Sequence, residues 1–136
     1  LSDATYREAL GDLLARCRSL GLRIVWGAND ASIRMPIADT NEPLSIAWLF
    51  GERPSWYGLT HLTLGFDPGS LRSRPSAEAA ADTFARQAAE LPDGHPTKGV
   101  IVGTTFSPAA VLLNREALSN LLEDLVGTVN GEAPAE

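Results

Sequence analysis

Apolar and polar residues alternate along this chain with two different periods, and each period predicts a different kind of element. Residues 3–20 have apolar positions three to four residues apart, which is typical of an amphipathic helix. Gly21 suits the left-handed position just past the end of that helix. Residues 22–26, 32–37, 44–50 and 59–66 alternate with a period of two, which predicts four strands. The turn at residues 27–30 joins the first two strands into a hairpin.

The second half of the chain predicts two more helices and two more strands. A helix is expected from residue 75 or 76 to residue 91, since Pro75 suits a first helical position. Residues 100–105 and 109–113 are short apolar runs, interpreted as buried strands, and the segment between 66 and 75 is interpreted as a loop. Asn114 is a good N-cap for a last helix over residues 115–129.

The resulting element order is α-β-β-β-β-α-β-β-α, which predicts an α+β fold. Short connections favour a mainly antiparallel sheet of five or six strands, with helices packed on it. Pro36, near the end of the second strand, indicates an edge strand. The side chains expected in the core are Leu10, Leu14, Ile24, Trp26, Ile46, Trp48, Leu62, Leu64, Phe84, Ile101, Leu118, Leu122 and Leu125.

The size and composition of the chain are those of one soluble domain. Its 136 residues predict a single α+β domain over 1–130 and a flexible tail over 131–136. No apolar run approaches the roughly 20 residues that span a bilayer. No secretion signal is recognisable at the N-terminus, and Cys17 is the single cysteine. We therefore expect a cytoplasmic protein that is not bound to a membrane.

The net charge of −6 disfavours nucleic acid as a partner and mildly favours cationic partners. Five arginines could form a basic patch, but on an acidic domain we interpret them as solvated surface; they are Arg16, Arg18, Arg23, Arg72 and Arg74.

Motifs of known catalytic or metal chemistry are missing from the sequence. The soft or imidazole ligands are Cys17, His61 and His95, too few for a structural zinc site, so neither a metal nor a cofactor is expected. Cys17 lies on the apolar side of the first helix, where a small buried hydrophobe is the ordinary interpretation. No G-x-S-x-G elbow or G-x-G-x-x-G motif occurs.

One alternative keeps chemistry open. His61, with Thr63 and a carboxylate such as Asp67 or Asp30, could serve a small-ligand binder or an enzyme. A concave pocket containing His61 would be its mark.

The loop over residues 51–58 is the aromatic segment that packing explains least. Trp56 and Tyr57 either fold down to cap the core or anchor a partner, and Arg53 beside them suits an anchor, since Trp, Tyr and Arg dominate interface energetics. We expect a partner to contact Arg53, Trp56, Tyr57 and His61.

The element order and acidity of nearly the whole chain resemble those of type III secretion chaperones and the related YbjN-like proteins. That resemblance implies a non-catalytic, often dimeric protein that binds an extended segment of another chain. We therefore expect a non-enzymatic protein-binding module, chaperone-like or an adaptor, whose partner is a protein with a basic or extended segment. A toxin-neutralising immunity or antitoxin protein is a variant of the same idea, and a structural, self-associating subunit, such as a homodimer, is a further alternative.

Overall fold

The computed structural model of the chain describes residues 3–27, 30–37, 42–51, 59–97 and 100–129, and every structural statement below concerns these residues. The helices are α1 (Asp3–Ser19), α2 (Pro68–Arg72), α3 (Glu78–Ala89), α4 (Pro108–Leu113) and α5 (Arg115–Val129), with a 3-10 turn at Pro75–Ala77. The strands are β1 (Arg23–Trp26), β2 (Asp30–Met35), β3 (Leu44–Gly51), β4 (Leu59–Phe66), β5 (His95–Pro96) and β6 (Val102–Phe106). The predicted α+β class is confirmed.

The six strands form one antiparallel sheet in the order β1-β2-β3-β4-β6-β5. The first four strands are neighbours because short connections join them in sequence. The connection from β4 to β6 instead passes through α2 and α3. Strand β5 pairs with the edge of β6 that lies away from β4. The predicted hairpin of the first two strands is confirmed, with Ile24 opposite Ile33.

One face of the sheet, which we call the inner face, packs against the helices. Its side chains lie in the same hydrophobic cluster as the buried side chains of the five described helices. Large strand side chains in this cluster that are at most 1% exposed include Ile33, Met35, Leu49, Leu62, Leu64 and Phe106. The sheet side of this cluster meets α3 at β4 and β6, and α5 packs between α3 and α1. The opposite face, which we call the outer face, has no described helix packed on it.

Residues 109–113 are not a strand, as the sequence analysis predicted, but part of helix α4. The Oγ atom of Ser107 accepts a hydrogen bond from the backbone N–H of Ala110 at 3.3 Å, and Pro108 occupies the first turn. A serine N-cap followed by proline is a strong helix start. The second strand of the last pair is therefore β5, which lies before β6 in the chain.

The segment after β4 was predicted as a loop but contains the short helix α2. Asp67 caps it, because its side chain accepts a hydrogen bond from the backbone N–H of Gly69 at 2.9 Å. Pro68 follows in the first turn, so the same combination of cap and proline begins both missed helices.

A β-bulge changes the faces of strand β3. Ile33 pairs with Ala47 and Arg34 pairs with Ser45, so Ile46 has no partner on β2. One extra residue reverses the alternation of side chains beyond it. Trp48, predicted in the core, is therefore half-buried on the outer face, while Leu49 takes the inner position.

Four further predictions were wrong at the periphery of the sheet. Ile24, expected in the core, is half-buried on the edge strand β1. Trp26 has inner-face register opposite Ala31 but is 48% exposed, since it ends the edge strand. Ile101 lies just before β6 and is half-buried rather than buried. Pro36 follows β2, which is an interior strand and not an edge.

Candidate functional site

A row of side chains crosses the outer face from one edge of the sheet to the other. Strand pairing places one residue from each strand in this row, in the order Val25, Ser32, Trp48, Thr63, Thr105 and His95. Trp48 is the largest of them and lies between two small polar side chains, Ser32 and Thr63. The outer face therefore presents a central tryptophan on a polar sheet surface.

The floor on one side of Trp48 is a pair of threonines. The hydroxyl oxygens of Thr63 and Thr105 are 3.0 Å apart and form a hydrogen bond. Thr63 is 1% exposed and Ser32 is 8% exposed, so both short side chains beside Trp48 are buried. Val25, at the β1 end of the row, is 39% exposed. The exposed part of the row thus begins with an apolar side chain and continues through Trp48.

Two arginines lie side by side next to this row. Arg23 pairs with Arg34 across the β1–β2 hairpin, and Arg34 pairs in turn with Ser45 on β3. The Nε–H of Arg34 donates a hydrogen bond to Ser32 Oγ at 3.1 Å, which confirms that both side chains lie on the outer face. Arg23 was named among the surface arginines in the sequence analysis, but the significance of its pairing with Arg34 was missed. The sequence predicted the hairpin but not its register, and the register decides which residues of β1 and β2 stand opposite each other.

The other predicted surface arginines have separate surroundings. Arg16 forms an ion pair with Glu123 at 2.9 Å, which links α1 to α5. Arg74 is only 7% exposed, so its interpretation as solvated surface was wrong. It donates hydrogen bonds to three backbone carbonyls and is a structural residue.

His61 is exposed and lies on the outer face of β4, opposite Phe50, whose own partner on β2 is Asp30. His61 and Asp30 are therefore two strands apart, about 10 Å by the usual strand spacing. Asp67 is six residues from His61 along an extended strand, roughly 20 Å away. The structure thus places Thr63 beside His61 on one face but brings neither carboxylate into hydrogen-bonding range of the imidazole through the strand positions.

The other predicted binding residues, Arg53, Trp56 and Tyr57, lie outside the described residues. Their role as a partner anchor stays a prediction. The loop that carries them connects β3 to β4, between Gly51 and Leu59. These are the strands that bear Trp48 and His61.

Two open grooves lie on the helical side of the molecule. One, of about 590 Å³, runs between α3 and α5 and is lined by Ala80, Thr83, Gln87, Asp124 and Thr128 among others. The other, of about 750 Å³, lies beside α2, with Pro68, Arg72 and Asp82 among its lining residues. His61 lines neither groove. Among the described residues, no three His, Cys, Asp or Glu side chains are grouped so as to hold a metal ion.

No protein-family model, curated protein or solved structure matches this chain. In the described part of the chain, none of the helices has the length and apolar character needed to cross a membrane.

Proposed function

We propose that this chain is a non-enzymatic protein-binding module of the chaperone or adaptor type, and that a partner polypeptide docks on the outer face of its sheet. The observation that carries the proposal is the position of Trp48. The bulge at Ile46 turns the largest side chain of β3 away from the core and onto a face that has no described helix on it. Bulges are enriched next to functional sites, where they redirect a side chain.

The neighbours of Trp48 suit a protein partner. Tryptophan is enriched among the residues that dominate interface energetics, and such anchors lie within a more polar surrounding. Here Val25 supplies further exposed apolar surface, while Ser32, Thr63 and Thr105 form a polar floor.

The resemblance to type III secretion chaperones and YbjN-like proteins belongs to this proposal and rests on element order and acidity. The mode of binding that it implies is capture of an extended segment of another chain, and we propose the outer face of the sheet as the surface that holds this segment. We also propose that the protein is cytoplasmic, because its single cysteine, Cys17, is free and buried.

Affinity capture from an extract of the source organism, followed by mass spectrometry, tests the proposal. Trp48→Thr is the best variant, because threonine is a good strand former and extends the existing Thr63–Thr105 row. We expect one stoichiometric partner with the wild type and its loss with Trp48→Thr. Leu113→Thr is the control, since Leu113 is 60% exposed on α4, away from the sheet face. A partner retained at full affinity by Trp48→Thr would contradict the proposed docking face.

The aromatic loop has its own test in the same assay. A Trp56→Ala, Tyr57→Ala variant is expected to weaken partner binding if these side chains anchor the partner, as the sequence predicts. Full partner affinity in a folded double variant would remove the loop from the proposal and leave the sheet face alone as the docking surface.

A further inference from the structure

Arg23 and Arg34 are an unusual pair on the outer face because they carry the same charge and stand directly opposite each other. The backbone N–H of Gly27 donates to the carbonyl oxygen of Asp30 at 2.7 Å, so the alternation of an antiparallel ladder makes Arg23 and Arg34 a hydrogen-bonded pair. Their Cα atoms are then about 5.5 Å apart. Like charges in that position destabilise a sheet.

Nothing in the described part of the chain neutralises this pair. The four ion pairs found there use Arg16, Arg74, Arg86 and Arg115 instead. Asp30 is the carboxylate of the same hairpin, but it lies four residues from Arg34, about 13 Å along the strand. Its Oδ1 is turned toward Gly27, where it would contact an added Cβ at 2.7 Å. The distance of about 13 Å between Asp30 and Arg34 exceeds the Debye length of about 8 Å at physiological salt, so the interaction between these two charges is largely screened.

Arg34 is also held on the side of the tryptophan. The bond from Arg34 Nε to Ser32 Oγ keeps the guanidinium on the side of Ser32, the residue directly opposite Trp48. An arginine has five N–H donors, so four remain on the two Nη atoms, and no described residue accepts a hydrogen bond from them. Fixed guanidinium donors of this kind match the two oxygens of a carboxylate.

We propose that Arg23 and Arg34 bind the carboxylates of an extended acidic segment of the partner protein, whose apolar side chains pack on Trp48 and Val25. The argument is charge complementarity at one end of the outer face. It contrasts with the cationic partner that the overall charge of −6 favours, since a short acidic segment needs only the local arginines. The same net charge opposes a long polyanion such as nucleic acid. This inference rests on the proposed function.

Selection from a phage-displayed library of random 12-residue peptides tests it on the folded protein. The baits are the wild type, the charge-reversed Arg23→Glu, Arg34→Glu variant, and the control Arg7→Glu, Arg18→Glu. The control reverses two exposed arginines of α1 and changes the net charge equally. We expect the wild type and the control to select peptides rich in Asp and Glu next to apolar residues. The charge-reversed variant is expected to lose them and to select Lys and Arg.

Fluorescence anisotropy with the best selected peptide then measures affinity. We expect at least tenfold weaker binding to an Arg23→Gln, Arg34→Gln variant, and the same loss when the peptide acids are replaced by amides, since hydrogen bonds to charged groups are the strong ones. The thermal midpoint of this variant should equal or exceed that of the wild type, because the like-charge contact is removed. A lower midpoint would assign the pair to the fold and overturn the inference.

The remaining outcomes separate this inference from the proposed function. Selected peptides without acidic enrichment, whose binding still depends on Trp48, would overturn the acidic partner and leave protein binding intact. Failure of every bait to select a peptide would count against both. A fluorescent single-stranded 20-nucleotide DNA that binds through Arg23 and Arg34 more tightly than the peptide would replace the proposed ligand class with nucleic acid.

Discussion

At the scale of single residues, Arg74 makes the most side-chain hydrogen bonds that are seen among the described residues. Its guanidinium donates to the backbone oxygens of Glu42, Pro43 and Ser70 at 3.1, 3.2 and 2.6 Å, and to the hydroxyl of Ser73 at 3.0 Å. The ion pair with Glu42, at 3.3 Å, has a carboxylate side chain that is 83% exposed and so adds little. Arg74 thereby connects the segment before β3 to the end of α2.

Replacing Arg74 by Ala should destabilise the fold by about 3 kcal/mol, because three backbone carbonyls lose a charged donor at once. Arg74→Lys should recover less than half of this, since one ammonium cannot reproduce the planar fork. Urea unfolding followed by circular dichroism measures both, with Arg72→Ala, an exposed neighbour, as the control expected to cost under 1 kcal/mol. An Arg74→Ala loss as small as that of the control would contradict the structural role.

Two titratable groups on α1, the Tyr6 hydroxyl and the Cys17 thiol, are buried, and burial makes their deprotonation less favourable in the folded chain. Burial raises the pKa of Tyr6 from 10.0 to about 12. Burial likewise raises the pKa of the Cys17 thiol from 9.0 to about 11, and the nearby Arg18 charge lowers it by a smaller amount. Cys17, at 0% exposure, is the small buried hydrophobe that the sequence predicted. The Tyr6 hydroxyl is buried without a hydrogen-bond partner among the described residues.

These shifts predict a loss of stability at alkaline pH. Each folded-state pKa lies above the unfolded one, so the unfolded chain releases its protons first. This lowers the free energy of the unfolded state relative to the folded state as the pH rises. The free energy of unfolding is therefore unaffected by the ionisation of these two groups below about pH 9. Between about pH 9 and 12 it falls by at most about 2–3 kcal/mol for each group.

Urea unfolding of the wild type and of Tyr6→Phe, Cys17→Ala from pH 7 to 11 would measure this effect. The double variant should show a flatter alkaline decline, and Tyr6→Phe alone should be neutral or stabilising at pH 7, because a buried hydroxyl without a partner is removed. Parallel declines in the two proteins would show that other groups cause the alkaline loss.

At the scale of elements, the paired strands β4 and β6 have very close backbone contact at two glycines. Gly65 pairs with Gly103, and a Cβ on Gly65 would meet the backbone oxygen of Val102 and lie 2.7 Å from the Cα of Gly103. A Cβ on Gly103 would likewise meet the backbone oxygen of Leu64. Backbone atoms cannot yield as the end of a flexible side chain can, so neither position accommodates alanine without moving a strand.

We expect Gly65→Ala and Gly103→Ala each to lower the free energy of unfolding by about 3 kcal/mol or more. The matched control is Gly11→Ala in α1, where an added Cβ has nothing within 4 Å. That control should stabilise the protein by about 0.5–1 kcal/mol, because alanine is the better helix former. Equal changes in the free energy of unfolding for Gly65→Ala and Gly11→Ala would refute the close backbone contact between β4 and β6.

Because of the bulge in β3, truncating the smaller Leu49 should destabilise the protein more than truncating the larger Trp48. Leu49 is fully buried and its replacement by Ala should cost about 2–5 kcal/mol, while half-buried Trp48→Ala should cost under about 2 kcal/mol. Chemical denaturation of both variants compares them directly. A larger loss for Trp48→Ala than for Leu49→Ala would restore the uninterrupted alternation that the sequence predicted.

How far the elements could be predicted depends on how local their causes are. The long helices and β1 to β4 follow from periodicity, and Gly21, with φ of 88°, lies just past the end of α1 as predicted. Residues 109–113 are too short for periodicity to separate strand from helix, and the decisive signal was the Ser107 cap with Pro108. The bulge has no comparable signal, since Ile46 is an ordinary strand residue.

The candidate site was less predictable than the fold because it depends on pairing between strands. Alternation along β4 by itself puts His61 and Thr63 on one side of the strand, as the structure has them. Trp48 was misplaced, since its face depends on the bulge opposite β2. The juxtaposition of Arg23 with Arg34 needs the hairpin register, which alternation within either strand does not provide.

At the scale of the whole molecule, stability should be greatest in the middle of the sheet. Strands β3 and β4 have a paired strand on both sides, and four of their inner-face side chains are 0% exposed, namely Ala47, Leu49, Leu62 and Leu64. β1 and β5 have a neighbour on one side only, and β1 carries the half-exposed Trp26. Local opening costs least where buried contacts are few.

Hydrogen–deuterium exchange measured by NMR should therefore show the slowest amides in β3 and β4 and much faster exchange in β1. The reason is that β1 can open without exposing the central cluster. The amides of α5, whose Leu118 and Leu122 are at most 1% exposed, serve as an internal reference for core protection. Protection of β1 equal to that of β4 at high protein concentration would indicate that another copy covers this edge.

The two ends of the sheet are unequal, and this limits the symmetry of any assembly built by joining them. At one end β5 has two residues, and one of them, Pro96, has no backbone N–H with which to extend a ladder. At the other end β1 offers four residues. Edge pairing between two copies would therefore join β1 to β1, an isologous contact with a two-fold axis that is complete after two copies. The head-to-tail contact of β1 with β5, which would grow into an open filament, lacks a competent second end.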